Sequence, residues 1–241
     1  MSAELQVKVG CCGFPTSQRK YYSFFKVVEV QHTFYQPPKL YTAVKWREEA
    51  PKDFEFTLKA WQLITHEPSS PTYRRLRIEL QRDKLDCYGS FRPTKEVWDA
   101  WLVTKDFAEA LGAKVIVFQC PARFKPTDEN KRNMLRFFER LSGSPFIFVW
   151  EPRGEWSDKD IEEICQKTGL IHCVDPFQRK PLTSGIFYFR LHGIGGYKHK
   201  YTDFELSRLA KICLDYEGGY CMFNNAYMFE DAQRFMALIS P

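Results

Sequence analysis

Short apolar runs alternate with amphipathic patterns along almost the whole chain. Eight of these runs read as strands, at residues 7–12, 27–31, 54–60, 114–120, 146–151, 170–175, 186–192 and 219–224. Most are short, rich in β-branched or aromatic residues, and apolar at successive positions. A strand buried on both faces has that composition, and parallel strands covered by helices are buried on both faces.

The intervening segments carry helix start and stop signals. Thr94 is placed to cap a helix that buries Val97, Trp101 and Ala108 and stops at Gly112. Thr127 opens another, with Met134, Leu135 and Phe138 inward and Gly143 beyond it. Ser157 precedes Ile161 and Ile164, and Gly169 follows. Thr202 and Glu205 have capping-box spacing ahead of Leu206, Leu209 and Cys213, with Gly218 as the stop. The last helix is expected after Asn225, burying Phe229, Ala232, Phe235 and Ile239, with Asn224 or Asn225 as its cap.

Eight β/α units in 241 residues predict one TIM-type (β/α)₈ barrel over residues 1–241. The alternative is an open doubly wound sheet, whose first turn would carry G-x-G-x-x-G. Here the first strand runs into Gly10-Cys11-Cys12-Gly13-Phe14-Pro15, which lacks it. The stretch between Asp175 and Ile186 is short, so one barrel helix is expected to be reduced or missing. Trp61 to Pro93 is an insertion after the third strand. Its mixture of Tyr73, Tyr88 and Phe91 with Arg74, Arg75 and Arg77 suits a lid helix or a nucleic-acid contact.

The strand ends carry the candidate chemistry. They offer Glu29 and Gln31, Lys59, Gln119, Glu151 with Arg153, Asp175, Arg190 with His192, and Asn224 with Asn225. Each is expensive to bury without a partner. A barrel gathers strand ends on one rim, where barrel enzymes keep their sites. Loops after the strands add Arg19, Lys20, Arg123, Lys125, Arg179, Lys180, Lys198 and Lys200, while Glu48, Glu49, Asp53, Asp215 and Glu217 fall at the opposite rim. The excess over the whole chain is only +5, from 35 basic and 30 acidic residues, so this distribution matters more than the total. It favours anionic ligands, of which phosphate is the commonest.

Composition narrows the class. A 44% hydrophobic, 16% aromatic chain can fill a large core. The sequence shows neither a signal-peptide pattern nor an apolar run long enough to span a bilayer, so a cytoplasmic protein without membrane contact is expected. None of the eight cysteines forms a CxxC pair, and most read as small buried hydrophobes; Cys12 and Cys120 close strands and would face the pocket. His32, His172, Trp46, Trp98 and Trp101 read as core residues.

Taken together, these strand ends resemble the YecE-like family, the domain of unknown function number seventy-two. The segments that carry the likeness are Phe25 to Tyr35, Phe54 to Ala60, Thr65-His66, Phe118-Gln119-Cys120-Pro121, Trp150-Glu151-Pro152-Arg153 with Trp156, Phe189-Arg190-Leu191-His192-Gly193 with Tyr201, and Phe223-Asn224-Asn225. The family's usual Ser-Gly-Trp after the first strand is replaced by Cys11-Cys12-Gly13-Phe14. The resemblance implies a TIM-type barrel of unestablished activity. A likeness of that family to endonuclease IV-type barrels implies a nucleic-acid role.

Three readings follow. In the first, Lys59, Arg153 and Arg190 hold a phosphate-bearing small molecule or nucleic acid, aided by His66, Gln119, Tyr201 and Asn224. Glu29, Glu151, Asp175 and His192 are then the catalytic candidates, with a glutamate as base and His192 as acid. In the second, Glu29, Glu151, Asp175, His66 and His192 bind a divalent metal for hydrolysis or isomerisation. Only five histidines are present and no H-x-H or H-E-x-x-H spacing occurs, so no resident metal or cofactor is expected. In the third, the basic face binds nucleic acid or another polyanion without catalysis.

Overall fold

The computed structural model describes residues 6–240. Eight strands are present: β1 (Gln6–Cys12), β2 (Val27–Val30), β3 (Glu55–Lys59), β4 (Val115–Gln119), β5 (Ile147–Glu151), β6 (Ile171–Val174), β7 (Ile186–Leu191) and β8 (Gly218–Phe223). They pair in parallel in sequence order, and β8 closes on β1 to complete the barrel. The helices are α1 (Gln18–Tyr22), α2 (His32–Tyr35), α3 (Leu40–Glu49), α4 (Gln62–Thr65), α5 (Lys95–Leu111), α6 (Asp128–Glu139), α7 (Asp158–Thr168), α8 (Asp203–Cys213) and α9 (Met228–Ile239).

Two cores follow from the period of two along each strand. Inside the barrel lie Cys12, Val27, Val115, Val117, Val149, Cys173, Tyr188, Tyr220 and Met222. The alternate residues face the helices and belong to a larger outer layer. Phe118 of β4, for example, packs among Phe91, Trp101, Phe137 and Phe138. Each such burial contributes on the order of 2 kcal/mol against leaving the ring in water. At the N-terminal mouth the interior turns polar again. There Glu55 accepts from Lys8 at 2.6 Å and from Tyr220.

The caps read from the sequence are in place. Thr94, Thr127 and Ser157 each accept from a backbone amide of their helix, and Thr202 with Glu205 closes a capping box. Gly112 and Gly169 end their helices in the left-handed conformation. Asn224 and Asn225 do not cap α9. Tyr227 stands at that position without a side-chain bond, and the Asn225 amide donates instead to His199 O and Asp231 Oδ2, both at 2.7 Å. His32 is exposed on the first turn of α2 rather than buried in a strand, because β2 stops at Val30. Trp101 is buried as expected, whereas Trp46 and Trp98 are only partly buried.

Two departures from a regular barrel shape the rim. No helix joins β6 to β7. The connecting segment folds back over β6 instead, with Leu182 N bonding His172 Nδ1 at 3.2 Å and His172 N bonding Thr183 Oγ1 at 3.1 Å. The insertion after β3 forms no lid helix. It holds α4 and two short 3₁₀ turns at Pro71–Arg75 and Arg82–Cys87. Its end is pinned where Gly89, Ser90 and Phe91 donate backbone hydrogen bonds to Leu63, Thr65 and Ile64. Ser90 and Phe91 hold positive φ angles of 53° and 51°, which cost on the order of 1 kcal/mol each. Complete burial of the Phe91 ring offsets that strain.

Candidate functional site

Inward positions at the C-terminal strand ends form one connected polar network. Arg190, the penultimate residue of β7, is buried at its centre. Its guanidinium meets Glu29 Oε1 at 3.0 Å, bonds Glu151 Oε2, and donates to Gln119 Oε1 at 3.1 Å. Glu29 is completed by Gln31 and by the Tyr188 hydroxyl, which donates at 2.8 Å. Thr57 Oγ1 lies 2.8 Å from the same hydroxyl. Lys59 Nζ shares Gln119 Oε1 at 2.8 Å and sits 4.0 Å from the Phe34 ring centre.

The outer edge of this network opens to solvent. Arg153 donates to Glu151 Oε1 from Nε at 3.2 Å and from Nη2 at 3.0 Å. Arg153 Nη2 also lies 3.0 Å from His192 Nε2. Arginine has only donors to offer, so His192 Nε2 accepts and the ring proton sits on Nδ1. Asp175 takes the amides of Phe177 and His192 on its two oxygens, at 3.1 and 3.0 Å. Glu151, Arg153, Asp175, Gln178, Arg179 and His192 line a cavity of about 420 Å³.

Burial and charge set the ionisation of these groups. Burial opposes a charged Glu151, but Arg190, Arg153, His192 and Lys59 outweigh it and hold the carboxyl at about 2. Burial, then Arg190, brings Lys59 down to about 7. Burial likewise lowers His192 to about 4, with Arg190 and Arg153 adding to it against Glu151. Burial pushes the Asp175 carboxyl up, opposed by its two amide donors.

The other expected site residues stand apart or play supporting parts. His66 is buried, bonded to Thr65 through Nδ1 and packed edge-on to Phe34 at 4.9 Å, so it backs the ring under Lys59. The Tyr201 hydroxyl accepts from Gly193 N at 2.9 Å and its ring stacks on Phe177, which shapes the loop after β7. Asn224 continues the β8 ladder through its amide, bonded to Leu191 O at 2.8 Å. Cys12 lies in the interior with its thiol pushed up by burial, and Cys120 is buried beside Trp150 outside the barrel, its thiol also raised; neither is a reactive thiolate.

A family model described as a protein of unknown function, DUF72, matches residues 15–240. The chain belongs to the DUF72 family. A DUF72 family protein from Enterococcus faecalis V583 superposes with a TM-score of 0.73 at 15% identity, covering 98% of both chains. One from Thermotoga maritima MSB8 gives 0.65 at 19% identity, over 97% of this chain and 99% of the other. Endonuclease IV from Thermus thermophilus gives 0.56 at 12% identity, over 96% of this chain and 99% of the other, a likeness of fold alone. No curated protein matches the sequence.

The donors of this DUF72 rim do not fit a metal. Among the described residues no group of three or more His, Cys, Asp or Glu side chains is placed to hold one. Glu151 has both oxygens on arginines, Glu29 has both engaged, and Asp175 gives both to backbone amides. Nor does any helix among the described residues have the length and apolarity to cross a membrane.

Sequence reasoning missed Tyr188, Thr57 and Phe34. The first two carried a usable signal, since each precedes a polar strand-end residue by two positions, Arg190 and Lys59, and so shares its inward face. Phe34, on α2, carried none. A further cavity, about 600 Å³, lies at the opposite end of the barrel among Leu135, Phe138, Phe146, Ile147 and Ile171. Its polar side chains, Glu139, Ser142, Ser144, Lys167 and Thr168, are not bonded to one another, unlike those of the C-terminal rim.

Proposed function

We propose that the C-terminal rim binds a phosphate-bearing small molecule in the cavity beside Arg153, His192 and Asp175. The observation that carries this reading is the partly exposed Arg153 guanidinium on the lining of that cavity. Arg190, Arg153 and Lys59 face the carboxylates Glu29 and Glu151, and Lys59 has no carboxylate partner. Asp175 is turned to backbone amides. An incoming phosphate oxygen would meet Arg153, whose side chain is 42% exposed and supplies charge-assisted donors. In this reading Glu29 and Glu151 are counter-ions that hold Arg190, and neutral His192 accepts rather than donates at Nε2.

Calorimetric titration with inorganic phosphate and a sugar phosphate tests it. Binding that weakens with added salt and raises the melting temperature is expected, since a ligand of the folded state alone stabilises it by mass action. Neither heat nor a melting shift at ligand concentrations in the tens of millimolar, on the order of the weakest specific affinities, would discard the reading.

A second reading, single-stranded nucleic acid along the same face, is favoured by one arrangement. Gly154 packs against Ala122, which sets the loops bearing Arg153 and Arg123 side by side, and Arg123 lines a further cavity of about 360 Å³ with Ser69, Ser70 and Asn130. Its mark would be oligonucleotide affinity that falls linearly in log–log plots against salt. Binding of monomeric phosphates alone would reject it.

A further inference from the structure

Lys59 is the one amine in the described network that no carboxylate holds. Its Nζ has Gln119 Oε1 and the Phe34 ring as neighbours, and the side chain is buried. Arg190 donates to the same Gln119 oxygen. Two cations on one neutral acceptor out of water are unfavourable, and lysine is the one able to shed its proton. Burial and Arg190 disfavour its charge, with Arg153 adding to them, while Glu151 and Glu29 favour it, and the balance brings it to about 7. A neutral Lys59 donates one N–H to Gln119 and keeps its lone pair unshared. A desolvated lysine beside another cation is an activated nucleophile toward carbonyl carbon.

We propose that Lys59 forms an imine with the carbonyl carbon of a phosphorylated aldehyde or ketone held at this rim. The inference rests on the phosphate reading for the ligand's class. The Nζ lone pair attacks the carbonyl carbon and the C=O π pair moves to oxygen, giving a carbinolamine. The C–O bond then breaks and a C=N bond forms. The two Nζ protons and the carbonyl oxygen leave together as water, so no oxidant, reductant or further reactant is needed. When the imine takes up a proton, its positive charge lies in the field of Glu151 and Glu29, which already acts on the Lys59 ammonium. Gln119, freed from the amine, keeps its bond to Arg190.

The test is reductive trapping. Wild-type protein is incubated at neutral pH with dihydroxyacetone phosphate and cyanoborohydride, then digested and mapped by mass spectrometry. An exposed lysine is neutral at pH 7 in well under about one molecule in a thousand, so Lys59 starts with a large excess of free amine. The expected result is an adduct on the Lys59 peptide on the order of tenfold above that on surface lysines, suppressed by inorganic phosphate. Unphosphorylated dihydroxyacetone should label it less, and Lys59→Arg, whose guanidinium stays charged and forms no imine here, should abolish that adduct. Equal labelling by the two ketones would keep the imine and remove the phosphate selection. Calorimetric phosphate binding with Lys59 unlabelled would remove the imine and keep the phosphate site. Label spread over surface lysines with none on Lys59 would overturn the inference without recourse to any variant.

Discussion

Arg190 of β7 crosses the barrel interior and meets Glu29 of β2 at 3.0 Å, with the two side chains 1% and 0% exposed. These strands are separated by β8 and β1, so the pair ties facing walls together below the rim. Glu151 of β5 holds the same guanidinium from a third direction.

Removing that guanidinium strands two buried carboxylates. Arg190→Met is expected to lower unfolding free energy by about 3–5 kcal/mol, the range for breaking a buried pair from one side. Urea denaturation reads it directly. A loss below about 1 kcal/mol would mean that water or rearrangement replaces the arginine at little cost.

Acid should unfold the protein in two stages. Burial holds His192 and His172 at about 4, and His66 lower still, against an ordinary value of 6.5. The unfolded chain therefore binds protons that the folded chain refuses, and stability falls as pH drops from 6.5 toward 4. Glu151, held at about 2 against 4.5, adds a second loss as pH falls through that window, of about 3 kcal/mol in all. Melting temperatures taken from neutral pH down to pH 2 would check both, and Glu151→Gln should shrink the lower stage.

Lys59 acts in the alkaline direction. Its folded value of about 7 lies below the ordinary 10.5, so over that interval the unfolded state binds more protons and stability rises with pH. The buried cysteines oppose this once their unfolded counterparts ionise near 9. Between those limits the gain should be about 2 kcal/mol, and Lys59→Met should flatten the slope. An unchanged slope in the variant would show that the amine keeps its proton.

Arg153 offers the cleanest separation of binding from folding. Being 42% exposed, it should cost under about 1 kcal/mol of stability when replaced by alanine. Its loss should weaken phosphate binding by about tenfold or more, equivalent to about 1.5–3 kcal/mol for a charge-assisted contact. Paired denaturation and calorimetry on Arg153→Ala decide this; parallel losses in both would place the arginine in the fold rather than the site.

Chelation should do nothing. With both Glu151 oxygens on arginines, dialysis against a strong chelator is expected to leave melting temperature and phosphate affinity unchanged. A drop in either would expose a bound ion.

Much of this architecture was written in local patterns. Apolar runs without alternation marked strands covered on both sides, and Thr94, Ser157 and Thr202 marked helix starts because their hydroxyls satisfy amides a few residues away. The polar strand ends pointed to one rim because closure brings them there. What stayed hidden depends on distance in space. That Gln119 serves both Lys59 and Arg190, or that Phe34 underlies Lys59, involves strands and helices far apart in the chain. Residues just past a strand were also ambiguous: His192 stays at the rim, whereas Tyr201 turns away to brace a loop. The insertion misled because its aromatic and basic mixture says nothing about regular hydrogen bonding, and only short turns form there.

The lack of a helix between β6 and β7 has a mechanical consequence. That strand is four residues long, and its paired positions are Val149↔Ile171 and Trp150↔His172 on one side and Cys173↔Tyr188 and Val174↔Phe189 on the other. A cylinder of strands is only as tight as its least-paired stave, and β2, equally short, has three and four registered pairs against two and two for β6. Thermal breathing should part the wall here before anywhere else, and amide hydrogen exchange in β6 would outpace that in β1 and β8, whose ladder is the longest-registered of the barrel together with that of β7 and β8. Arg153, just past β5, and His192, just past β7, stand on either side of that weak stave, so a ligand that grips both would act as a hoop.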